Sequence, residues 1–124
     1  MSFLLDACKL FECDEKDLTE FSLQDPFNPS NFVKGYLSRI QDHRYGSLYI
    51  THINEKYKPQ MIPGVPKIHY PFVTNQKGER VYQFGACTRA IFREKLDGTS
   101  IASYRYTDGK EQYVSYKTRL TPFL

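Results

Sequence analysis

The sequence predicts an α+β fold in which an antiparallel-rich sheet is accompanied by a few helices. Short stretches rich in β-branched and aromatic residues recur in the second half of the chain, as is typical of strands. An Asp-Gly turn signal between two of these stretches indicates a tight hairpin. Nearer the start, one run of apolar residues has helical spacing. A chain of 124 residues is long enough for one domain with a sizeable core.

The first 45 residues are predicted as a helical or irregular segment that packs on the domain. Apolar and acidic clusters alternate up to residue 29, where two prolines indicate a turn or linker. Ser30 is a suitable N-cap for an amphipathic helix over residues 31–42. Five apolar residues of this helix share one face: Phe32, Val33, Tyr36, Leu37 and Ile40.

Strands are predicted for most of the remaining chain. Residues 48–53 form the first of them, and residues 54–72, which hold four of the seven prolines, are predicted as an ordered extended loop. A turn follows at residues 75–78. The later strands are expected at 79–84, 90–95, 100–107 and 111–118.

The last two predicted strands are joined by Asp108 and Gly109, a pair suited to a tight hairpin. Side chains alternate along a strand, so Tyr104 and Tyr106 are expected on one face and Ser103 and Arg105 on the other. Ile101 joins the second face and Ala102 the first.

Charge and cysteine content limit the class of protein. The net charge of +3 is mildly basic, which suits a phosphate-bearing partner but is far from the charge of a nucleic-acid-binding tail. Three cysteines without CxxC spacing predict a reducing, cytoplasmic location, and three scattered histidines argue against a zinc site. Neither a signal peptide nor a membrane span is expected.

The stretch from Arg93 to Ser100 is the strongest candidate for chemistry. Lys95 and Asp97, two apart on an extended backbone, project to the same side, and Gly98 lets the backbone turn or a ligand approach. The apolar residues at 90–92 predict a buried strand that ends at the lysine. A charged amine there is costly unless it has a partner or a function. The alternative is that Asp97-Gly98 is only a hairpin turn.

Glu94-Lys95-Leu96-Asp97-Gly98-Thr99 resembles motif I of the covalent nucleotidyltransferases, which include ATP-dependent ligases and mRNA capping enzymes. In that family the lysine attacks the α-phosphorus of a nucleoside triphosphate, releases pyrophosphate and holds the nucleotide as a phosphoramidate. Gly64-Val65-Pro66-Lys67-Ile68 and Tyr116-Lys117-Thr118-Arg119 are similar to two further elements of T4-type phage RNA ligases and their archaeal relatives. The order and approximate spacing of all three agree.

The resemblance implies that residues 46–124 are a partial nucleotidyltransferase domain, with motif I at 94–99 and the fold of the first half of a ligase domain. It implies Lys95 as the nucleophile, Glu94 as the contact to the adenine edge and Asp97 as a contact to the ribose or to the lysine. The other implied nucleotide contacts are Leu96, Gly98, Lys67, Lys117 and Arg119, of which the last three would meet the triphosphate.

The implied cofactors are ATP and Mg²⁺, with the metal held largely by phosphate oxygens and water, and the implied substrate is a pair of RNA ends. Ser100 stands where DNA ligases and capping enzymes usually carry an arginine, which favours RNA ligase. The later motifs of the family do not occur before Leu124. The chain is therefore expected to be a fragment, or to have its site completed by a second chain.

Two alternatives remain open from the sequence. Besides an RNA ligase, the chain could be a non-catalytic module that binds a nucleotide or nucleic acid through a ligase-like half-fold, or a capping-type guanylyltransferase that uses GTP. Its ten tyrosines and nine phenylalanines would offer stacking surfaces to single-stranded nucleic acid in the first case. In a sheet-rich domain most aromatic residues belong to the core instead.

Overall fold

The computed structural model describes residues 2–124, which divide into two compact units. The larger unit runs up to Lys67 and resumes with Thr99–Leu124, and the smaller unit is Ile68–Gly98. Within the described residues the fold is α+β, with antiparallel sheets and one α-helix, which confirms the predicted class in coarse terms. No helix in this part of the chain has the length and apolar character needed to cross a membrane.

Residues 2–124 contain nine regular elements, which follow one another along the chain. The elements are α1 (Phe3–Phe11), β1 (Leu18–Gln24), β2 (Phe32–Ser38), β3 (Leu48–Ile53), β4 (Lys56–Ile62), β5 (Phe72–Thr74), β6 (Arg80–Tyr82), β7 (Ala102–Thr107) and β8 (Gln112–Lys117), with a 3₁₀ turn at Glu15–Asp17. Strands β1 to β4 form one antiparallel sheet in chain order, and β5–β6 and β7–β8 form two hairpins. The first 45 residues thus supply α1 and two strands to the larger unit.

Helix α1 covers one face of the four-stranded sheet. Ser2 Oγ accepts a hydrogen bond from the backbone N–H of Leu5 at 3.4 Å, and the left-handed backbone of Glu12 ends the helix. The helix buries Ala7 and Phe11 against the sheet. These two residues form a small apolar cluster with Tyr49, and the partly buried Cys13, Leu18, Tyr36 and Ile40 pack against it.

The predicted helix over residues 31–42 is wrong, because strand β2 occupies this part of the chain and Ser30 caps no helix. Val33, Gly35 and Leu37 are buried and alternate with more exposed residues, which is the period of a strand. The apolar residues at 32, 33, 36 and 37 also fit helical spacing, so pairing with β1 and β3 decides the outcome. A Cβ on Gly35 would lie 2.2 Å from the carbonyl oxygen of Tyr49, so glycine is needed where the two strands approach.

The extended loop predicted for residues 54–72 is only partly correct. Residues 56–62 form strand β4, and Pro59 lies inside it. This strand is at the edge of the four-stranded sheet, where a residue without a backbone N–H is tolerated. Asn54 and Glu55, both with positive φ, make the tight turn from β3 to β4. The predicted strand at 48–53 is confirmed as β3, and residues 63–71 form no regular element.

The predicted C-terminal hairpin is confirmed as β7 and β8, which pair on either side of Asp108-Gly109. The alternation is also as predicted, since Tyr104 and Tyr106 are buried while Ser103 and Arg105 are exposed. The hairpin completes the core of the larger unit, which contains Phe21, Val33, Leu37, Leu48, Ile50, Ile53, Ile62, Tyr104, Tyr106 and Phe123.

A buried carboxylate joins the segment after β1 to this hairpin. Asp25 is fully buried and accepts hydrogen bonds from Tyr106 Oη at 2.6 Å and from Ser115 Oγ at 2.9 Å. The backbone N–H of Phe27 and Asn28 Nδ2 each donate to it at 2.9 Å. Burial alone would raise the pKa of Asp25, but these four hydrogen bonds outweigh it and hold the pKa below the usual 3.8. Asp25 is therefore ionised at neutral pH.

The smaller unit is organised around the short hairpin β5–β6. Asn75 Oδ1 accepts the backbone N–H groups of Lys77 and Glu79, each at 2.9 Å, and Gly78 has a φ of 77°. The predicted turn at 75–78 is thus confirmed, and the strand predicted at 79–84 is shortened to β6. Aromatic rings line the hairpin, with Arg80 Cζ 4.7 Å from the centre of the Phe72 ring.

The predicted strand at 90–95 is wrong. Residues 83–98 form neither helix nor strand, and their side chains are exposed, to the extent that Phe92 retains 94% of its accessible surface. A strand forms only where a neighbour satisfies its backbone N–H and C=O groups, and these residues pair with none. The β-branched and aromatic character of the stretch is therefore insufficient to build the strand.

Candidate functional site

The residues predicted for the nucleotide site fall into two groups. Glu94, Lys95, Leu96, Asp97 and Gly98 belong to the smaller unit, where all five are exposed. The expectation that Lys95 lies at the mouth of a buried strand is wrong, because that strand does not form. Gly98 has a φ of 134°, a conformation that favours glycine, so this part of the motif does bend the backbone as its sequence indicates.

The second group lies in the larger unit and is brought together there. Lys67 Nζ lies 5.4 Å from the centre of the Tyr45 ring, and the guanidinium carbon of Arg119 lies 5.9 Å from the same centre. Both distances are those of cation–π contacts. Lys117 Nζ lies 3.5 Å from the position that a Cβ of Gly46 would occupy. Three predicted residues from two distant segments of the sequence thus lie around Tyr45 and Gly46. We call Tyr45, Lys67, Lys117 and Arg119 the cationic cluster.

Two glycines allow the three segments of the cationic cluster to approach. Gly46 has a φ of 76°, and a Cβ there would lie 1.9 Å from the carbonyl oxygen of Arg119. A Cβ on Gly64 would lie 2.2 Å from the carbonyl oxygen of Tyr45. The backbone N–H of Gly64 donates to Ser47 Oγ at 2.9 Å, which fixes the loop that leads to Lys67. Any larger residue at either position would force these backbones apart.

Lys117 is the most unusual member of the cationic cluster. It is 2% exposed at the end of β8, and its Nζ donates to the carbonyl oxygens of Thr118 at 2.9 Å and Arg119 at 3.3 Å. No carboxylate of residues 2–124 lies within 4 Å of it. Burial disfavours the charged form and lowers the pKa of Lys117 to about 8. The amine is therefore mainly charged at pH 7, although it lies inside the protein.

Replacing Lys117 with methionine is expected to increase stability at neutral pH and to remove a pH dependence. The unfolded lysine keeps its proton up to about pH 10.4, whereas the folded one loses it above about pH 8. Wild-type stability should therefore rise relative to the variant between these pH values, by up to about 3 kcal/mol. Urea unfolding of both proteins at pH 7, 8, 9 and 10 measures this difference.

The matched control for this experiment is Lys9→Met, which removes an exposed lysine from α1. Its unfolding free energy should follow that of the wild type across the pH series. Parallel curves for the wild type and Lys117→Met would show that the amine does not change its protonation on folding.

Sequence reasoning missed Tyr45 and the ion pair that positions it. Arg44 Nη2 lies 2.7 Å from Asp42 Oδ2, and Arg44 Nε donates to both carboxylate oxygens at 3.1 Å. Hydrogen bonds from Arg44 lower the pKa of Asp42 to about 2. The carbonyl oxygen of Asp42 accepts the backbone N–H of Lys67 at 2.9 Å. The available sequence signal was an aromatic residue, Tyr45, directly before the turn glycine Gly46. It lies three residues beyond the helix that was wrongly predicted for residues 31–42.

The cationic cluster is suited to an anion rather than to a neutral or cationic ligand. It places the Lys67 ammonium and the Arg119 guanidinium on one aromatic ring, and guanidinium groups match phosphate geometry well. The buried Lys117 ammonium adds positive charge from within the protein. No group of three or more histidine, cysteine or acidic side chains with metal-binding geometry occurs in the described residues.

Comparisons of the chain with protein-family models, with curated proteins and with solved structures give no match.

Proposed function

We propose that this chain acts as an ATP-dependent RNA ligase, or as part of one, and forms a covalent lysyl-AMP intermediate. In this proposal Lys95 is the nucleophile, and the cationic cluster supplies contacts to the triphosphate. Glu94, Leu96, Asp97 and Gly98 supply the nucleoside contacts that the resemblance of the 94–99 motif implies.

The observation that supports the proposal is the convergence of Lys67, Lys117 and Arg119. Lys117 and Arg119 belong to one short element that resembles a ligase element and Lys67 belongs to another, and the two elements are far apart in the sequence. They nevertheless meet at Tyr45 and Gly46.

The proposed reaction forms one bond to the α-phosphorus and breaks another. The neutral amine of Lys95 attacks the α-phosphorus of ATP, so that an N–P bond forms as the bond to the oxygen that bridges the α- and β-phosphorus breaks. Pyrophosphate leaves with its negative charge, and the proton from the amine passes to solvent. Positive charge near the leaving phosphates stabilises them as the bond breaks, which is the role assigned to Lys67, Lys117 and Arg119.

Mg²⁺ would add charge stabilisation at the phosphates. The protein supplies no cluster of metal-binding side chains within residues 2–124. The ion would be held largely by phosphate oxygens and water, as is common for Mg²⁺.

Incubation with α-labelled ATP or GTP in the presence of Mg²⁺, followed by denaturing electrophoresis, tests the proposal. We expect a labelled band at the mass of the chain with ATP. A band with GTP in place of ATP would favour a capping-type guanylyltransferase. The absence of a band with both nucleotides would overturn the proposal in favour of a module that binds without covalent chemistry.

Replacing Arg119 with alanine is expected to slow adduct formation by about 10- to 100-fold, because one preorganised cation is lost from the phosphates. The measurement is the rate of label incorporation at saturating ATP. Arg105→Ala is the matched control, since Arg105 is an exposed arginine of β7 outside the cationic cluster. Equal rates for Arg119→Ala and the control would exclude a role for Arg119 in phosphate binding.

A further inference from the structure

The end of helix α1 brings two cysteines of the chain together. Cys8 belongs to the helix, and Cys13 is the second residue after it. The backbone N–H of Cys13 donates to the carbonyl oxygen of Cys8 at 3.0 Å, and that of Glu12 donates to the carbonyl oxygen of Lys9 at 3.3 Å. Glu12 itself has a left-handed backbone, with a φ of 50°. These two bonds around a left-handed residue are a Schellman motif, a common end of an α-helix.

The Schellman motif sets the side chains of the two residues joined by its longer bond against each other. In α1 these residues are Cys8 and Cys13, and their thiols are in contact. Burial raises the pKa of the Cys13 thiol above its usual 9.0, and the neighbouring Cys8 thiol adds to the rise through its charge and a hydrogen bond. Both residues are free cysteines that are neither fully buried nor fully exposed. The backbone thus holds two thiols side by side, within reach of a small molecule.

The segment that carries the two thiols is fastened to the rest of the larger unit. Cys13 packs against the small apolar cluster between α1 and the sheet. Arg44 Nη1 donates to the carbonyl oxygen of Phe11 and, at 3.2 Å, to that of Glu12. The end of the helix is therefore held from both sides. Because folding has already closed the loop between the cysteines, a bond between their sulfur atoms would have little further entropy to lose.

The two thiols stand apart from the other features of the molecule that bear chemistry. Cys87, the third cysteine, is exposed in the smaller unit. Within residues 2–124 no group of three or more histidine, cysteine or acidic side chains is arranged to hold a metal ion. A structural zinc site takes four protein ligands, and a soft metal would find only two here. A pair of thiols in contact is instead suited to the formation of a disulfide.

We propose that Cys8 and Cys13 form a reversible disulfide when the protein meets a disulfide oxidant such as glutathione disulfide. One protein thiolate attacks a sulfur of the oxidant, so that a mixed disulfide forms and one glutathione thiolate leaves. The second protein thiolate attacks the protein sulfur of this mixed disulfide and releases the other glutathione. The two thiol protons pass to the released thiolates. The protein is thereby oxidised by two electrons, and the oxidant is reduced to two molecules of glutathione.

The test is the equilibrium between dithiol and disulfide in glutathione buffers of several compositions. Cys87→Ser removes the third thiol, and acid quenching, alkylation in denaturant and intact-mass spectrometry read the state of the remaining two. The folded Cys87→Ser protein should favour the disulfide by about 10-fold or more over the same protein in concentrated urea, because the fold has already brought the thiols together. The controls C8S/C87S and C13S/C87S should stop at a mixed disulfide with one glutathione, since the resolving thiol is absent.

A matched pair of substitutions at Glu12 tests the contribution of the Schellman motif. Glycine adopts a positive φ readily, whereas a β-branched residue disfavours it. In the Cys87→Ser background, Glu12→Gly should keep the disulfide equilibrium constant within about 3-fold, and Glu12→Val should lower it by about 10-fold. Circular dichroism checks the fold of both variants. If Glu12→Val is unfolded, the comparison of folded and urea-unfolded Cys87→Ser decides alone.

An equilibrium constant for the disulfide that is the same in the folded and the unfolded Cys87→Ser protein would overturn the proposal. A lasting glutathione adduct on the folded protein would do so as well. Equal constants in folded Glu12→Gly and Glu12→Val would overturn the assignment of the Schellman motif as the element that pairs the thiols. None of these measurements involves ATP or Lys95, so they stand or fall separately from the proposed function.

Discussion

Replacing Lys95 with alanine is expected to abolish the covalent adduct with AMP. The proposed intermediate is a bond between Lys95 Nζ and the α-phosphorus, so a protein without this amine has no atom to form it. Lys95→Arg should be equally inactive, although it keeps the positive charge, because a guanidinium stays protonated and is a poor nucleophile. The measurement is label transferred from α-labelled ATP, with a loss of at least 100-fold expected for both variants.

Lys77→Ala is the matched control for Lys95, because it removes another exposed lysine of the smaller unit. It should leave labelling unchanged. A phosphoramidate is labile in acid and stable in alkali, so the wild-type band should disappear on acid treatment. Undiminished labelling of Lys95→Ala would overturn the assignment of Lys95 as the nucleophile.

Replacing Asp25 with alanine is expected to destabilise the larger unit by about 3–5 kcal/mol. The carboxylate is fully buried and accepts four hydrogen bonds, two of them from the hydroxyl groups of Tyr106 and Ser115 in the hairpin. Its removal leaves buried donors without an acceptor and leaves a cavity. The measurement is the free energy of unfolding in urea at pH 7, and Glu15→Ala, which changes an exposed acidic residue, is the control.

The pH dependence of unfolding tests the same network in a second way. The folded pKa of Asp25 is held below 3.8, so its contribution is complete above that value and is lost as the pH falls further. Asp25→Asn should be less stable than the wild type at pH 7 and should lack this component of acid sensitivity. Tyr106→Phe removes one donor and should cost about 1–3 kcal/mol. A stability of Asp25→Ala within about 0.5 kcal/mol of the wild type would contradict this account.

Local signals predicted those elements whose pairing lies close in sequence. The turn at Asp108-Gly109 identifies the β7–β8 hairpin, and the alternation around Tyr104 gives its buried face. The connection is short, residues 108–111, and pairs Thr107 directly with Gln112, so no distant information is needed to set the register. Lys67 and Arg119 were singled out as triphosphate contacts on their resemblance to ligase elements, and the structure brings both to the Tyr45 ring.

The wrong secondary-structure predictions concern segments whose structure depends on contacts with residues distant in the sequence. Residues 31–42 carry apolar side chains at spacings that fit a helix, and only their position between β1 and β3 makes β2 a strand. Residues 90–95 show the converse, since strand-like composition produces no strand without a partner. No local pattern identifies Tyr45, because its ring contacts Lys67 and Arg119 only in the folded chain. Gly46 and Gly64 allow the three segments to approach that closely.

The side-chain amide of Gln60 helps to protect the exposed edge of the four-stranded sheet from pairing with other chains. A free strand at the border of a sheet offers its backbone groups to any other extended chain and so invites aggregation. At the edge strand β4, the Gln60 side chain makes two hydrogen bonds to the backbone of Thr107 in β7 and so holds this hairpin beside the edge. Pro59 in the same strand has no backbone N–H that another chain could pair with. Lys56 and Lys58 add like charges that would repel a second copy. These two lysines thus help to protect the edge of the sheet from self-association.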